Sequence, residues 1–309
     1  MTTAFIFPGQ GSQSIGMMNS LAESSTVIQD TFSEASAVLG YDLWALVTEG
    51  PAEKLNSTEY TQPAMLTAGV ASWRAWLEAG GAAPSVMAGH SLGEYTALVC
   101  AGALEFADAV SLVSDRARFM QQAVPEGEGA MAAVLGLDDE DVRNLCQANA
   151  AGEVLQAVNY TAPGQVVVAG SATAVGRLLE NAKAAGAKRA LPLPVSVPSH
   201  CALMQPASDR MAERLKEVVI SQPRTPVIHN VNVQAASDED DIRQLLARQI
   251  SEPVRWVETI NSMNEMGVAQ LFECGPGKVL CGLNKRINRD IDCIPLITMD
   301  SINSAMETE

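Results

Sequence analysis

The sequence predicts an α/β fold, a parallel sheet flanked by helices, and two stretches carry that prediction. In the first, the apolar run Val86-Met87-Ala88 meets a tight turn at Gly89–Gly93, followed by a helix that reaches Ala101 and closes at Gly102. A serine between two glycines, after a strand and before a helix, is the layout of a hydrolase-like core. In the second, residues 126–196 follow the order β-α-β-β-α-β, which is the ferredoxin-like arrangement.

The remaining elements extend this frame. Phe5-Ile6-Phe7 reads as a buried strand that runs into the loop Pro8–Gln13. Helical periodicity covers Ser25–Leu39 and Ala64–Ala79. The rhythm changes after Pro125-Glu126-Gly127. Ala130–Leu135, Val154–Asn159, Gln165–Ala169 and Lys188–Leu193 read as strands, Asp138–Ala150 and Thr173–Ala185 as helices. Pro192 and Pro194 mark the exit. A core of 1–125 and 197–309 with a small inserted subdomain, 126–196, is therefore expected. The core resumes with a helix in Gln205–Val219, strand Val227–Val233, helix Asp241–Gln249 and strand Ala269–Phe272, and its polar C-terminal end is expected to fray.

Composition excludes several function classes. With 47% hydrophobic and 18% charged residues, the chain reads as an ordinary globular protein. The first residues carry no basic group, and no apolar run has membrane-spanning length, so a cytoplasmic protein without a membrane partner is expected. A net charge of −16 argues against nucleic acid as partner, which calls for a basic footprint. The six cysteines, at 100, 146, 201, 274, 281 and 293, lack metal-ligand spacing. Free thiols and no metal are expected.

Gly89-His90-Ser91-Leu92-Gly93 carries the strongest chemical signal. Its glycines permit a sharp turn that exposes the Ser91 hydroxyl, and the Leu92 N–H at the helix start can face an oxyanion. The bland alternative is a serine that caps the helix. His90 points away from its neighbour in such a turn and reads as structural. His229 reads as a mid-strand core histidine, which leaves His200, in the loop Val197-Pro198-Ser199-His200, as the candidate base.

At about 100° per residue, Ala109, Leu112, Val113, Phe119, Met120 and Ala123 form one apolar stripe with Arg116 in its middle. A buried guanidinium requires a partner anion. Either an internal Asp or Glu supplies it, or a substrate carboxylate does, held by the planar fork.

Five motifs occur together in order: Phe7-Pro8-Gly9-Gln10-Gly11-Ser12-Gln13, Thr61-Gln62-Pro63-Ala64, Gly89-His90-Ser91-Leu92-Gly93-Glu94-Tyr95, Pro198-Ser199-His200 and Gly275-Pro276-Gly277-Lys278. In this the chain resembles the malonyl-CoA:acyl carrier protein transacylases of bacterial fatty acid synthesis, from about Ala4 to about Pro295. The resemblance implies Ser91 as nucleophile, His200 as general base, and Gln249 as the residue whose carbonyl orients that base. It implies Gln10 and Leu92 as oxyanion donors, and Arg116 and Gln62 as substrate-binding residues. The implied reaction is ping-pong transfer of malonyl from malonyl-CoA to the phosphopantetheine thiol of acyl carrier protein, by a monomer with no bound cofactor.

Such a carrier is acidic, and an acidic enzyme must meet it through a local basic patch. Lys188 with Arg189, and Lys285 with Arg286, are the candidate pairs. Two rival readings are a serine hydrolase and a non-catalytic carrier-binding scaffold. The first leaves Arg116 unexplained, and the second has no need of Ser91, His200, Arg116 and Gln10 together.

Overall fold

The computed structural model describes residues 2–195 and 197–307. Residue 196, the expected far boundary of the subdomain, and residues 1, 308 and 309 lie outside the described residues. In chain order the strands are β1 (Thr3–Phe7), β2 (Val86–Gly89), β3 (Gly129–Leu135), β4 (Leu155–Ala162), β5 (Gln165–Ser171), β6 (Arg189–Pro192), β7 (Val227–Ile228), β8 (Gln270–Glu273) and β9 (Asp292–Pro295). They form two sheets.

The first sheet is parallel throughout, in the order β7-β2-β1-β8-β9. Successive strand residues point to opposite faces, and each face here meets helices. Phe5, Phe7, Met87 and Phe272 join one core, beneath helices Val27–Leu39, Thr58–Glu78 and Phe106–Ala123. Ala4, Ile6, Val86, Ala88 and Leu271 join the other, against Trp256, Ile260 and Leu280. Burial on both faces is why the central strands β1 and β2 read as near-continuous apolar runs rather than alternating. Phe5 sits edge-on to Trp73 and Trp76 at 5.1 and 5.2 Å. Truncating so enclosed a ring costs about 3–5 kcal/mol.

The second sheet is antiparallel, in the order β4-β5-β3-β6. Helices Asp139–Ala150 and Ala172–Asn181 cover one face, with Val134, Val142, Val168 and Leu178 between them. Each helix starts on a side-chain cap, Asp138 for Asp141 N at 2.8 Å and Ser171 for Ala174 N at 3.3 Å. The opposite face presents Met131, Val158, Val167 and Ala169 to Cys201, beside His200. The small sheet thus lies over the loop that carries the candidate base.

Several expectations need correction. The helix expected from Ala64 begins at Thr58, because Pro63 forfeits only one bond near the first turn, and Gln62 is therefore helical. The strand expected over Val227–Val233 stops at Ile228, and His229 opens a turn in which Val233 donates to the His229 carbonyl. Helix Met299–Met306 is held by a capping box between Thr298 and Ser301, and the fraying expected of the C-terminal end falls on 308 and 309, outside the described residues. Cys281 and Cys293 are not free thiols but a disulfide, since the helix Val279–Ile287 and β9 bring their Cα atoms to 5.1 Å. Glu273 lies beside both sulfurs, yet its oxygens accept from Leu280 N and Cys281 N. Among the described residues no helix is long and apolar enough to cross a membrane.

Candidate active site

The turn after β2 is built by close approach. A Cβ at Gly89 would fall 1.8 Å from the Gly93 carbonyl carbon, and one at Gly93 would fall 2.0 Å from the Phe7 oxygen. Gly9 is equally constrained, since its Cβ would meet the His90 oxygen at 2.4 Å. Only glycine lets β1, its following loop and the turn pack this tightly. Ser91 itself holds φ +52°, a left-handed conformation unusual for a non-glycine residue. That conformation lifts its hydroxyl toward the loop of His200, which also has positive φ, +66°.

Ser91 Oγ lies 2.8 Å from His200 Nε2, and His200 Nδ1 lies 2.7 Å from the Gln249 carbonyl oxygen. A carbonyl only accepts, so Nδ1 carries the proton and Nε2 is left free to accept one from the serine. Burial, with the positive charge of Arg116, pushes His200 down to about 3. The ring is therefore a neutral base across the physiological range. His90 stacks edge-on against Trp256 at 5.5 Å and bonds neither Ser91 nor His200 through its side chain.

Arg116 is 1% exposed, and its hydrogen-bond partners are neutral. Nη1 donates to Gln62 Oε1 at 2.7 Å, Nη2 to Gln249 Oε1 at 2.9 Å and, at a long 3.4 Å, to Ser91 Oγ. The internal Asp or Glu that sequence left open is thus absent from its bonds. The Tyr95 ring lies 5.5 Å from the guanidinium carbon. Burial lowers the arginine from its ordinary value, opposed by Tyr95 and Glu94. Among the described residues, the guanidinium is thus desolvated with no carboxylate in its hydrogen bonds.

These groups share one cavity of about 120 Å³, lined by Gln10, Gln62, Ser91, Leu92, Arg116 and His200, with apolar walls that include Met120 and Met131. It has room for a short acyl group, and Met131 and Val167 of the small sheet close it from above. Leu92 begins the helix Gly93–Cys100, and its N–H donates to no protein acceptor among the described residues. The Gln10 side chain reaches Thr58 Oγ1 at 3.4 Å.

Lys188 and Arg286 line a separate shallow cleft, with Pro163 and Gly164. Lys188, Arg189, Lys285 and Arg286 are all exposed. Arg286 is also bonded to the Gln165 side chain.

Sequence reasoning missed two residues here, Asn159 and Asn230, and one contact of a third, Gln249. Gln249 contributes its side chain as well as its carbonyl, donating from Nε2 to Ser91 O at 2.9 Å. Asn159 lines the cavity with its Oδ1 buried and unpaired. Asn230 bonds the Ser91 turn from a distance of 139 residues in sequence. Neither asparagine carries a local pattern that would have marked it.

The acyl transferase domain family matches residues 4–287. The chain is 55% identical over 304 residues to the malonyl CoA-acyl carrier protein transacylase of Escherichia coli K12, covering 98% of each. Among solved structures, the malonyl CoA-acyl carrier protein transacylase from Coxiella burnetii superposes with a TM-score of 0.98 at 50% identity, over 99% of this chain and 97% of that one. A malonyl-transacylase solved in complex with its type II PKS acyl-carrier protein gives 0.99 at 52% identity, over 100% of both chains. With its serine, histidine and buried arginine in one cavity, the chain belongs to the acyl transferase domain family, among the malonyl CoA-acyl carrier protein transacylases.

Proposed function

We propose that this protein transfers malonyl from malonyl-CoA to the phosphopantetheine thiol of an acyl carrier protein, through malonyl-Ser91, in fatty acid biosynthesis. One observation carries the reading: a buried arginine with only neutral partners stands beside a serine already bonded to a neutral histidine. The relatives named above support malonyl as the acyl group, and the complex with a carrier protein supports that class of partner.

In the first half-reaction Ser91 Oγ attacks the thioester carbonyl while His200 Nε2 takes its proton. The backbone N–H groups of Leu92 and Gln10 stabilise the oxyanion. The carbon–sulfur bond then breaks, and His200 returns the proton to the coenzyme A sulfur. Arg116, held by Gln62 and Gln249, binds the malonyl carboxylate bidentately. In the second half-reaction His200 deprotonates the carrier's thiol, which attacks the malonyl ester and regenerates Ser91. The Gln249 carbonyl takes the place of a triad acid by holding the Nδ1 proton.

The same reading makes residues 126–196 a ferredoxin-like subdomain inserted into a hydrolase-like core of 1–125 and 197–309. Its support is the strand order β4-β5-β3-β6 with both helices on one face. It places the carrier at the basic rim of Lys188, Arg189, Lys285 and Arg286, and treats the enzyme as a cytoplasmic monomer with no resident cofactor. The decisive experiment is intact-mass analysis after incubation with malonyl-CoA, followed by addition of holo carrier protein. A malonyl adduct on Ser91 that moves to the carrier is expected; free malonate with no adduct would indicate a hydrolase instead.

A further inference from the structure

We infer that Asn230 is a positioning residue for acyl transfer: its carboxamide bridges Gly89 and Ser91, holding the left-handed serine and leaving the Leu92 N–H as the open donor of the turn. The inference rests on Ser91 being the acyl carrier. Its basis is an account of every backbone donor in the turn. His90 N donates to Phe7 O at 2.9 Å, Gly93 N to His90 O at 3.0 Å, and Glu94 N to Ser91 O at 3.0 Å. Ser91 N would be left over, and a buried N–H does not go unpaired without penalty. It donates to Asn230 Oδ1 at 2.7 Å, while Asn230 Nδ2 donates to Gly89 O at 2.7 Å. The two bonds fix the amide's orientation, because a flipped carboxamide would set oxygen against oxygen and N–H against N–H.

The clamp opposes a specific cost. A non-glycine residue at φ +52° persists only where its surroundings over-determine it. Asn230 does not line the cavity, so it acts through the turn and not on the substrate. It is itself held from both sides of its main chain. Its N–H donates to Glu94 Oε2 at 2.8 Å, and its carbonyl accepts from Arg255 N at 3.2 Å. The second Glu94 oxygen lies 2.7 Å from His229 Nδ1. Asn230 and Glu94 are fully buried. The chain Glu94–Asn230–Ser91 thus ties the first turn of the helix Gly93–Cys100 to the serine that precedes it.

Two substitutions test this. Asn230→Ala removes both bonds, and the maximal rate of Ser91 malonylation should fall about 10–100-fold, with KM for malonyl-CoA within about twofold of wild type. Asn230→Asp is isosteric and gives a pH signature. Ionised, it accepts from Ser91 N–H but sets a carboxylate oxygen against the Gly89 carbonyl; protonated, it reproduces the donor and the acceptor of asparagine. Glu94, His229 and Arg255 are the titratable or charged residues bonded around position 230. The Asp variant should therefore gain about tenfold in rate as pH falls from 8 to 5, where wild type stays flat. A residue that only supports folding would lower the melting temperature and leave both the maximal rate and the pH profile of the folded fraction unchanged, which overturns the inference. Labelling of Ser91 by a sulfonyl fluoride gives a readout independent of malonyl-CoA. If wild type is labelled but never malonylated, the proposed function fails, whereas equal labelling of wild type and Asn230→Ala overturns the role of Asn230.

Discussion

Arg116 Nη1 and Gln62 Oε1 meet at 2.7 Å, both side chains buried, in a contact that joins the helix Phe106–Ala123 to the helix Thr58–Glu78. The glutamine fixes the guanidinium without neutralising it. In the proposed function that charge meets the malonyl carboxylate.

Arg116→Ala should therefore separate donors. Losing one side of a desolvated ion pair costs about 3–5 kcal/mol, or roughly 10²–10³·⁵-fold in malonyl transfer. Acetyl-CoA has no carboxylate to leave unpaired, so its rate should hold or rise. The ratio of malonyl to acetyl transfer in mutant and wild type, measured beside a melting curve, is the check. An unchanged ratio would refute the carboxylate clamp.

Ser91→Ala should abolish the malonyl adduct, with the fold intact by circular dichroism. His200→Ala should slow adduct formation by several orders of magnitude, because serine is a weak nucleophile without its base. Residual transfer near the wild-type rate in either variant would overturn the assignment.

Loading should depend little on pH between 8 and 5. His200 is held at about 3 by burial first and Arg116 second, so its neutral form persists throughout. Stability behaves differently. An unfolded histidine titrates near 6.5, so below that pH the unfolded chain binds a proton that the native state refuses. His90, held down at about 4 by burial, adds to the effect. Each contributes a loss of about 2 kcal/mol at pH 5, fully absent above pH 7. Single-turnover loading and thermal midpoints over this range test both statements; an acid limb in loading near pH 6.5 would contradict the first.

Charge reversal at Lys188 or Lys285 should raise KM for the carrier protein several-fold, and more at low salt, while leaving malonyl-CoA loading nearly unchanged. Arg286→Glu should behave less cleanly, because that arginine is also bonded to Gln165 and Pro163 of the small sheet's β4–β5 turn. Equal damage to both half-reactions in the lysine variants would remove the rim from consideration.

Gly89→Ala and Gly93→Ala should lose both activity and solubility. Each new methyl would lie within about 2 Å of main-chain atoms, and backbone overpacking of this kind costs about 1–3 kcal/mol or more. Thermal unfolding of the purified variants measures it; wild-type stability would mean the turn is looser than described.

What could be read from the sequence alone is what local chemistry specifies. Glycines spaced around Ser91 dictate a strand-to-helix turn because no other residue admits that backbone approach, and an arginine inside an apolar helical stripe announces a buried charge before any partner is known. The order β-α-β-β-α-β over 126–196 is likewise written in short-range periodicity. One boundary that went astray was set by long-range contacts. The strand at Val227 ends early where His229 leaves the sheet and meets Glu94, 135 residues away in sequence.

Only the tertiary structure decided which groups meet. Sequence left the partner of Arg116 open between an internal acid and a substrate; the fold sets Gln62 and Gln249 against it from 54 and 133 residues away. It also brings Asn230 to the serine turn and joins Cys281 to Cys293. Asparagine and glutamine carry no charge and no periodicity, so nothing in their local sequence announces which groups their side chains meet. Their roles arise from hydrogen bonds whose ends are far apart along the chain, and folding alone fixes those distances.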